Sequence, residues 1–301
     1  NASSEWTKVS DFWDTLNITS VATDPTDANI IYIGTGEKRG MGLKGFGVWK
    51  TSDGGSTWNQ LSSSTGFKWI DTIIVRDEGG VGAVYVGGGR SLSEGEYTGV
   101  NGLQKSTDGG ATWTEVLGEI AAGSSHHVTD LEIDSNNRLI VGTRTNTFGD
   151  GGGQIFYSDD GAVFSPYTIG ALGQFDRTFV DVSPSDPNVL YAMFENASTG
   201  YITWLGKSED GGLTWTQKSI GLDENGNPFG DYQGSMDYWG FLGVDPNDTN
   251  TIDAAGAQSI HKSTDSGETW TEISEWRGTG FSLPYCLLYT SDAADESSSG
   301  G

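Results

Sequence analysis

Cys286 is the one cysteine among 301 residues, so no disulfide can form within the chain. That leaves the compartment open, because a large exported protein can have enough core without disulfides. No apolar run approaches the ~18 residues that cross a bilayer. No basic-then-apolar leader opens the sequence, so an export signal is expected to have been removed or to lie outside it. Cations are scarce as well: 16 Lys and Arg stand against 41 Asp and Glu, a formal net charge of −25. Such a surface repels phosphate backbones and anionic lipid, so neither nucleic acid nor membrane is an expected partner. Stretches rich in Leu, Ala, Lys and Glu at helical spacing are few. In their place stand 46 Gly, 11 Trp, 11 Tyr and 12 Phe with many Thr and Val, a composition of strands and turns.

What the chain does have is a phrase written four times: "KTSDGGSTW" at 50–58, "KSTDGGATW" at 105–113, "KSEDGGLTW" at 207–215 and "KSTDSGETW" at 262–270. A worn fifth copy, "YSDDGAVF" at 157–164, lies between the second and third. The acids Asp53, Asp108, Asp160, Asp210 and Asp265 then recur at steps of 55, 52, 50 and 55 residues. A period near fifty, with several short strands per unit, is the mark of a β-propeller. Each unit begins with an alternating run such as "DTIIVRD" and turns through a polar segment such as "DPTDAN" or "PSDPN". It continues with "IIYIGTG" or its counterpart, and closes with two strands around the phrase. Four strands joined by short turns form an antiparallel meander whose apolar faces need neighbouring meanders to cover them.

The phrase resembles the Asp-box, or BNR repeat, found in sialidases, family 74 glycoside hydrolases (xyloglucanases and their relatives), sortilin-type receptors and secreted bacterial propellers. The resemblance covers residues 1 to about 280. It implies an all-β propeller of four-stranded antiparallel blades. The chain has five full repeats plus a leading strand, and is expected to be a fragment of a roughly six-to-eight-bladed ring. Units are expected at about 17–62, 70–118, 128–169, 178–219 and 239–274, with 1–16 supplying a last strand only and the whole domain spanning 1–285. Residues 286–301 read like an adapter translation and linker and are left out of the fold. In each box the Asp is expected to accept hydrogen bonds from its own turn. Trp58, Trp113, Phe164, Trp215 and Trp270 are expected to bury between sheets, with a cost of ~3–5 kcal/mol on truncation if burial is complete. The boxes are structural on this reading, not catalytic.

Strand alternation puts the boxes and the "DPTDAN"-type turns on one side of the ring. The long irregular loops, where ligand contact is expected, lie on the other. That side collects Glu37, Lys38, Arg39, Arg90, His126, Arg144, Arg177, Glu195, Tyr232, Tyr238 and Trp239, with Asp231 and Asp237. Aromatic faces with acids and a few cations suit sugar rings, and also extended peptides. A sialidase would need three arginines on a carboxylate, and Arg39, Arg90, Arg144 and Arg177 are available, but the Arg-Ile-Pro signature of that family is absent. A glycosidase needs two carboxylates flanking the bond, and Glu37 with Asp231 or Asp237 has the right chemistry. The family 74 resemblance implies a cleft between two propellers, each giving one carboxylate, so one propeller lacks a complete site. Asp223, Asn225 and Asn227 alternate like calcium ligands but misplace the glycine of an EF-hand. His126, His127 and Asp130 could ligate a metal only if adjacent strand residues faced the same way, which strands forbid. No metal and no cofactor is expected. Asn1, Asn17, Asn196 and Asn247 head glycosylation sequons. The expectation is a secreted, extracellular module that binds glycan or protein and works with further blades or domains of a longer parent. The alternatives are a family 74-like hydrolase fragment or a scaffold.

Overall fold

The computed structural model describes residues 17–36, 44–93, 96–169, 175–223, 225–229, 240–256 and 259–275. The expected leading strand, the tail from 286 and the segments holding Glu37 to Arg39 and Asp231 to Trp239 lie outside them.

Five antiparallel four-stranded meanders follow one another along the chain. The first blade is β1 (Ile18–Asp24), β2 (Asp27–Thr35), β3 (Val48–Thr51) and β4 (Asn59–Gln60). The second is β5 (Ile70–Asp77), β6 (Gly82–Gly88), β9 (Leu103–Ser106) and β10 (Thr114–Glu115), with a side hairpin of β7 (Arg90–Ser93) and β8 (Glu96–Gly99) between its second and third strands. The third is β11 (His127–Ile133), β12 (Leu139–Arg144), β13 (Ile155–Ser158) and β14 (Ser165–Pro166). The fourth is β15 (Phe175–Val182), β16 (Leu190–Asn196), β17 (Ile202–Ser208) and β18 (Thr216–Lys218). The fifth is β19 (Phe241–Val244), β20 (Ile252–Ala255), β21 (Ser259–Ser263) and β22 (Thr271–Glu275). The fold class read from the repeat, an all-β propeller of such blades, is the one observed.

The turns form because Asp and Asn bond their own backbone. Asp24 Oδ1 accepts Thr26 N–H at 2.9 Å, Asp186 Oδ1 accepts Asn188 N–H at 2.9 Å and Asp248 Oδ1 accepts Asn250 N–H at 3.0 Å. Period-two alternation then sends side chains to opposite blades. Val84 and Val86 join Tyr32 and Val48 in a cluster between blades one and two, while Ala83 and Tyr85 join Val128, Leu131 and Val141 between blades two and three. Ile140 and Ile155 meet Val180 and Leu190 across the next junction, and Tyr191 and Met193 meet Leu242 and Val244 across the last. Each fully buried Val or Leu in such a layer contributes roughly 1.5–3 kcal/mol.

The repeated hairpins work alike. In the second, Asp108 Oδ1 accepts Thr112 N–H at 2.9 Å and the Ser106 hydroxyl at 2.8 Å, and Oδ2 accepts the Thr112 hydroxyl at 2.6 Å. Asp53, Asp210 and Asp265 repeat the set with Thr57, Thr214 and Thr269. Worn Asp160 keeps only backbone amides and Ser158. Gly109 and Gly110 hold φ of +70° and +90°, which L side chains resist. The ring of each later hairpin packs back on the preceding blade: Trp113 on the first cluster, Phe164 on the second, Trp215 on the third and Trp270 on the fourth. The expected full burial is not found. These rings, like Trp58, are half-buried, because the hairpin tip leaves one edge of each in solvent.

A second link runs the other way. Lys50, at the head of its phrase, lies over the Tyr32 ring and donates to Gly109 O in the next hairpin at 3.3 Å. Lys105 lies over Tyr85 and reaches Gly161 O at 3.3 Å. Lys207 lies over Tyr191 and reaches Ser266 Oγ at 3.0 Å. The third unit has Tyr157 where the others have Lys, and there Arg138 lies over that ring and reaches Gly211 O at 3.4 Å. Every blade junction in the described residues thus carries at least one cation bonded to the next hairpin, with Arg76 to Asp159 O and Lys218 to Glu268 adding a second at two of them.

Candidate functional site

First strands of neighbouring blades are clipped together by polar side chains. Ser20 Oγ accepts Ile73 N–H at 3.0 Å, Asp130 Oδ2 accepts Val180 N–H at 2.9 Å and Asp181 Oδ2 accepts Val244 N–H at 2.6 Å. Between blades two and three the clip is Asp71 Oδ2 to His127 Nε2 at 2.6 Å. Asp130, Glu132 and Asp181 are half-buried by surface area yet walled in by the strands around them. Desolvation pushes Asp130 up to about 6 and Asp181 up to about 7, and holds Glu132 well above the usual carboxylate range with the Asp181 and Asp130 charges adding to it. Asp130 and Asp181 thus serve the scaffold, each joining its first strand to the next one. Among the described residues, no three His, Cys, Asp or Glu side chains are placed to hold a metal ion.

The face opposite the hairpins is built from the ends of second strands and the starts of first strands. A small pocket opens there between blades two and three, lined by Gly89, Arg90, Ser125, His126, His127 and Phe148, among others. Its walls are tied by hydrogen bonds within blade three and by one that crosses to blade two. Asn146 Nδ2 donates to Ser124 Oγ at 2.9 Å and Ser125 O at 3.0 Å, Ser124 Oγ donates to Asp150 Oδ2 at 2.7 Å, and the Thr147 hydroxyl donates to Arg90 O. Among the predicted residues, Arg90 and His126 meet at this pocket. His126 stands edge-on to Phe156 with centroids 4.9 Å apart, and burial lowers its pKa.

Arg144 and Arg177 gather one junction further on, where they are cross-strand partners joining blades three and four. Arg144 pairs with Asp176 at 2.7 Å, and the Arg177 guanidinium lies 4.4 Å from the Phe179 ring centroid. Glu195 is buried close to the end of β16. Two residue sets weighed as metal ligands and set aside have other partners: Asp223 Oδ1 accepts Asn225 N–H and Asn227 N–H at 2.8 Å in its own turn, while His127 and Asp130 bind different neighbouring strands. Glu37, Lys38, Arg39, Asp231, Tyr232, Asp237, Tyr238 and Trp239 lie outside the described residues.

Sequence reasoning missed Asp71, Phe148 and Asn146, and put His127 on the loop face without finding its carboxylate partner. The signal lay in the triple glycine 87–89. A Cβ on Gly89 would come within 2.6–2.7 Å of three atoms of the His127 ring, so this glycine marks where the imidazole rests.

No family model matches the chain. It is 25% identical over 309 residues to a xyloglucanase of Paenibacillus sp, covering 92% of this chain and 29% of that protein. It is 27% identical over 316 residues to a xyloglucanase of Hypocrea jecorina, covering 92% of this chain and 35% of that one. The chain thus spans about a third of the length of the curated relatives it matches. Among solved structures, a GH74 enzyme of Niastella koreensis superposes with a TM-score of 0.57 at 21% identity, over 84% of this chain and 46% of that one. The GH74 xyloglucanase of Xanthomonas campestris gives 0.57 at 19%, over 82% and 36%. These structures share the fold.

Proposed function

We propose that this chain is part of a xyloglucanase-like glycoside hydrolase and that a xyloglucan-type polysaccharide lies across the loop face opposite the hairpins. The observation that carries the reading is the sequence likeness to a bacterial and a fungal xyloglucanase over 92% of the chain. It favours a hydrolase segment over the stand-alone recognition module expected first. The physics of the face agrees. A net charge of −25 tolerates a neutral polymer and disfavours a polyanion. Exposed Phe148 beside buried polar groups offers sugar both an apolar surface and hydrogen bonds. A polymer cannot enter a cell, which supports an extracellular location. Glu37, Asp231 and Asp237 stay the carboxylate candidates, and a two-carboxylate mechanism requires a partner group from the rest of the longer protein if this chain supplies only one.

The test is release of reducing ends from xyloglucan, mixed-linkage β-glucan and soluble cellulose by the protein that carries this segment, with E37Q, D231N and D237N beside it. Release from xyloglucan that at least one of these substitutions abolishes supports the proposal. Tight binding without release restores the recognition module, and neither binding nor release leaves the scaffold.

A further inference from the structure

The Asp71–His127 pair does more than join two blades. The His127 side chain is 1% exposed, its Nε2 is committed to Asp71, and its Nδ1 finds no hydrogen-bond partner among the described residues. An unpaired buried ring nitrogen costs free energy unless something pairs with it. Three features show where a partner would come from. The ring lies on Gly89, whose missing side chain leaves the imidazole seated there. Both residues line the pocket. At the same pocket stand His126, whose Nδ1 is also unpartnered, and Phe148, whose side chain is 43% exposed. The enclosed end is small, with room for about one water-sized group.

We infer that this pocket is a sugar subsite that admits a single hydroxyl or hydroxymethyl arm, paired with His127 Nδ1, while the sugar ring lies against Phe148. The inference rests on the polysaccharide reading above and adds to it a place on the face and a polar anchor. The Asp71 carboxylate oxygen accepts from Nε2, so a neutral ring offers its Nδ1 lone pair to a hydroxyl proton. A charged ring would instead donate from Nδ1, and a hydroxyl oxygen can accept. The anchor therefore suits a hydroxyl in either state, whereas an apolar group would leave the nitrogen unpaired.

The chain has three histidines, so its ring nitrogens can be assigned individually by NMR. The experiment titrates the whole chain with a xyloglucan oligosaccharide of one repeat unit, following the His127 Nδ1 resonance and, by calorimetry, the affinity of the unmodified chain and of F148A. Phe148 is a surface residue, so its variant is expected to fold, and thermal unfolding checks this. Expected are a displaced His127 Nδ1 signal on binding and an affinity lower by about tenfold in F148A. Binding that leaves the Nδ1 signal in place and F148A unchanged overturns this inference while the polysaccharide reading stands. Binding in which only one of the two readouts responds overturns it too, since ring and anchor are claimed together. Absence of binding by the unmodified chain overturns both readings.

Discussion

If the half-buried hairpin rings pin one blade to the next, removing one should loosen a junction without dissolving a blade. Trp113 gives the clearest case. Its indole meets Phe67 of the preceding unit edge-on, with centroids 5.5 Å apart and planes at 70°, and its Nε1 donates to Ser63 Oγ at 3.1 Å. Ser63 in turn donates to Gly110 O, so the ring and the hairpin backbone are held by the same residue. Truncating a fully buried Trp to Ala costs about 3–5 kcal/mol, and half-burial brings this to roughly 2. Loss of the N–H···O bond adds up to about 1 kcal/mol, since Ser63 can turn to water. W113A is therefore expected to lose about 2–3 kcal/mol, a fall of roughly 4–10 °C in Tm for a domain of this size. W113F keeps an aromatic edge but loses the donor and part of the ring, so about 1–2 kcal/mol is expected. Thermal unfolding followed by circular dichroism reads both. A Tm for W113A within about 1 °C of the parent, on the same scale, would refute the pinning role.

Three further outcomes follow from the links between blades. Glu132 has a pKa raised well above the usual carboxylate range by desolvation and the neighbouring Asp181 and Asp130 charges, so its contribution to stability is full below the unfolded value near 4 and is lost as pH rises through that raised value. E132Q should match the parent at pH 4 and gain on it in Tm as the pH is raised, and a Tm difference that stays flat or moves against the variant across an upward pH series would contradict the assignment. The hairpin acids have the opposite sign. Hydrogen bonds from Thr57, Thr112 and Thr269 hold Asp53, Asp108 and Asp265 down at about 2, so their contribution is present above about 4 and fades as pH falls towards 2. D108N should lower Tm at pH 7 and converge on the parent near pH 2, and parallel curves across that range would count against it. Lys105 sits 2.7 Å from Glu78 Oε2 with both side chains mostly buried, so K105M should cost about 2 kcal/mol in urea unfolding even though Arg76 remains near Glu78; an unchanged midpoint would remove the cation from the list of blade links.

What could be read from the sequence was whatever a residue does within its own few neighbours. The phrase around Asp108 announces a hairpin because Ser106, the acid, two glycines and Thr112 all serve one turn, with partners two to four residues apart. The pocket gave no such signal, because it is made of pairs distant in the chain: His127 with Asp71, and the Thr147 hydroxyl with the Arg90 carbonyl. The cations at the heads of the phrases fell between these cases. Lys50, Lys105 and Lys207 repeat in plain view, yet their acceptors lie in the following repeat, and nothing local assigns them a duty.

The third unit shows what fixes that duty. There the phrase begins with Tyr157, and a reading by position alone would record a lost residue. The structure instead supplies the cation from Arg138, one strand back, over the Tyr157 ring and on to Gly211 O. A pair of aromatic ring and cation survives although the ring stands where the others have Lys and the cation comes from two residues before Ile140, the partner of Tyr157, so the constraint acts on the junction and not on the position. The same logic explains how the worn Asp160 hairpin can keep its place in the ring. Its Thr is gone and Phe164 replaces Trp, but the carbonyl that Lys105 needs, Gly161 O, is still presented, at a residue whose φ of +68° only glycine adopts readily.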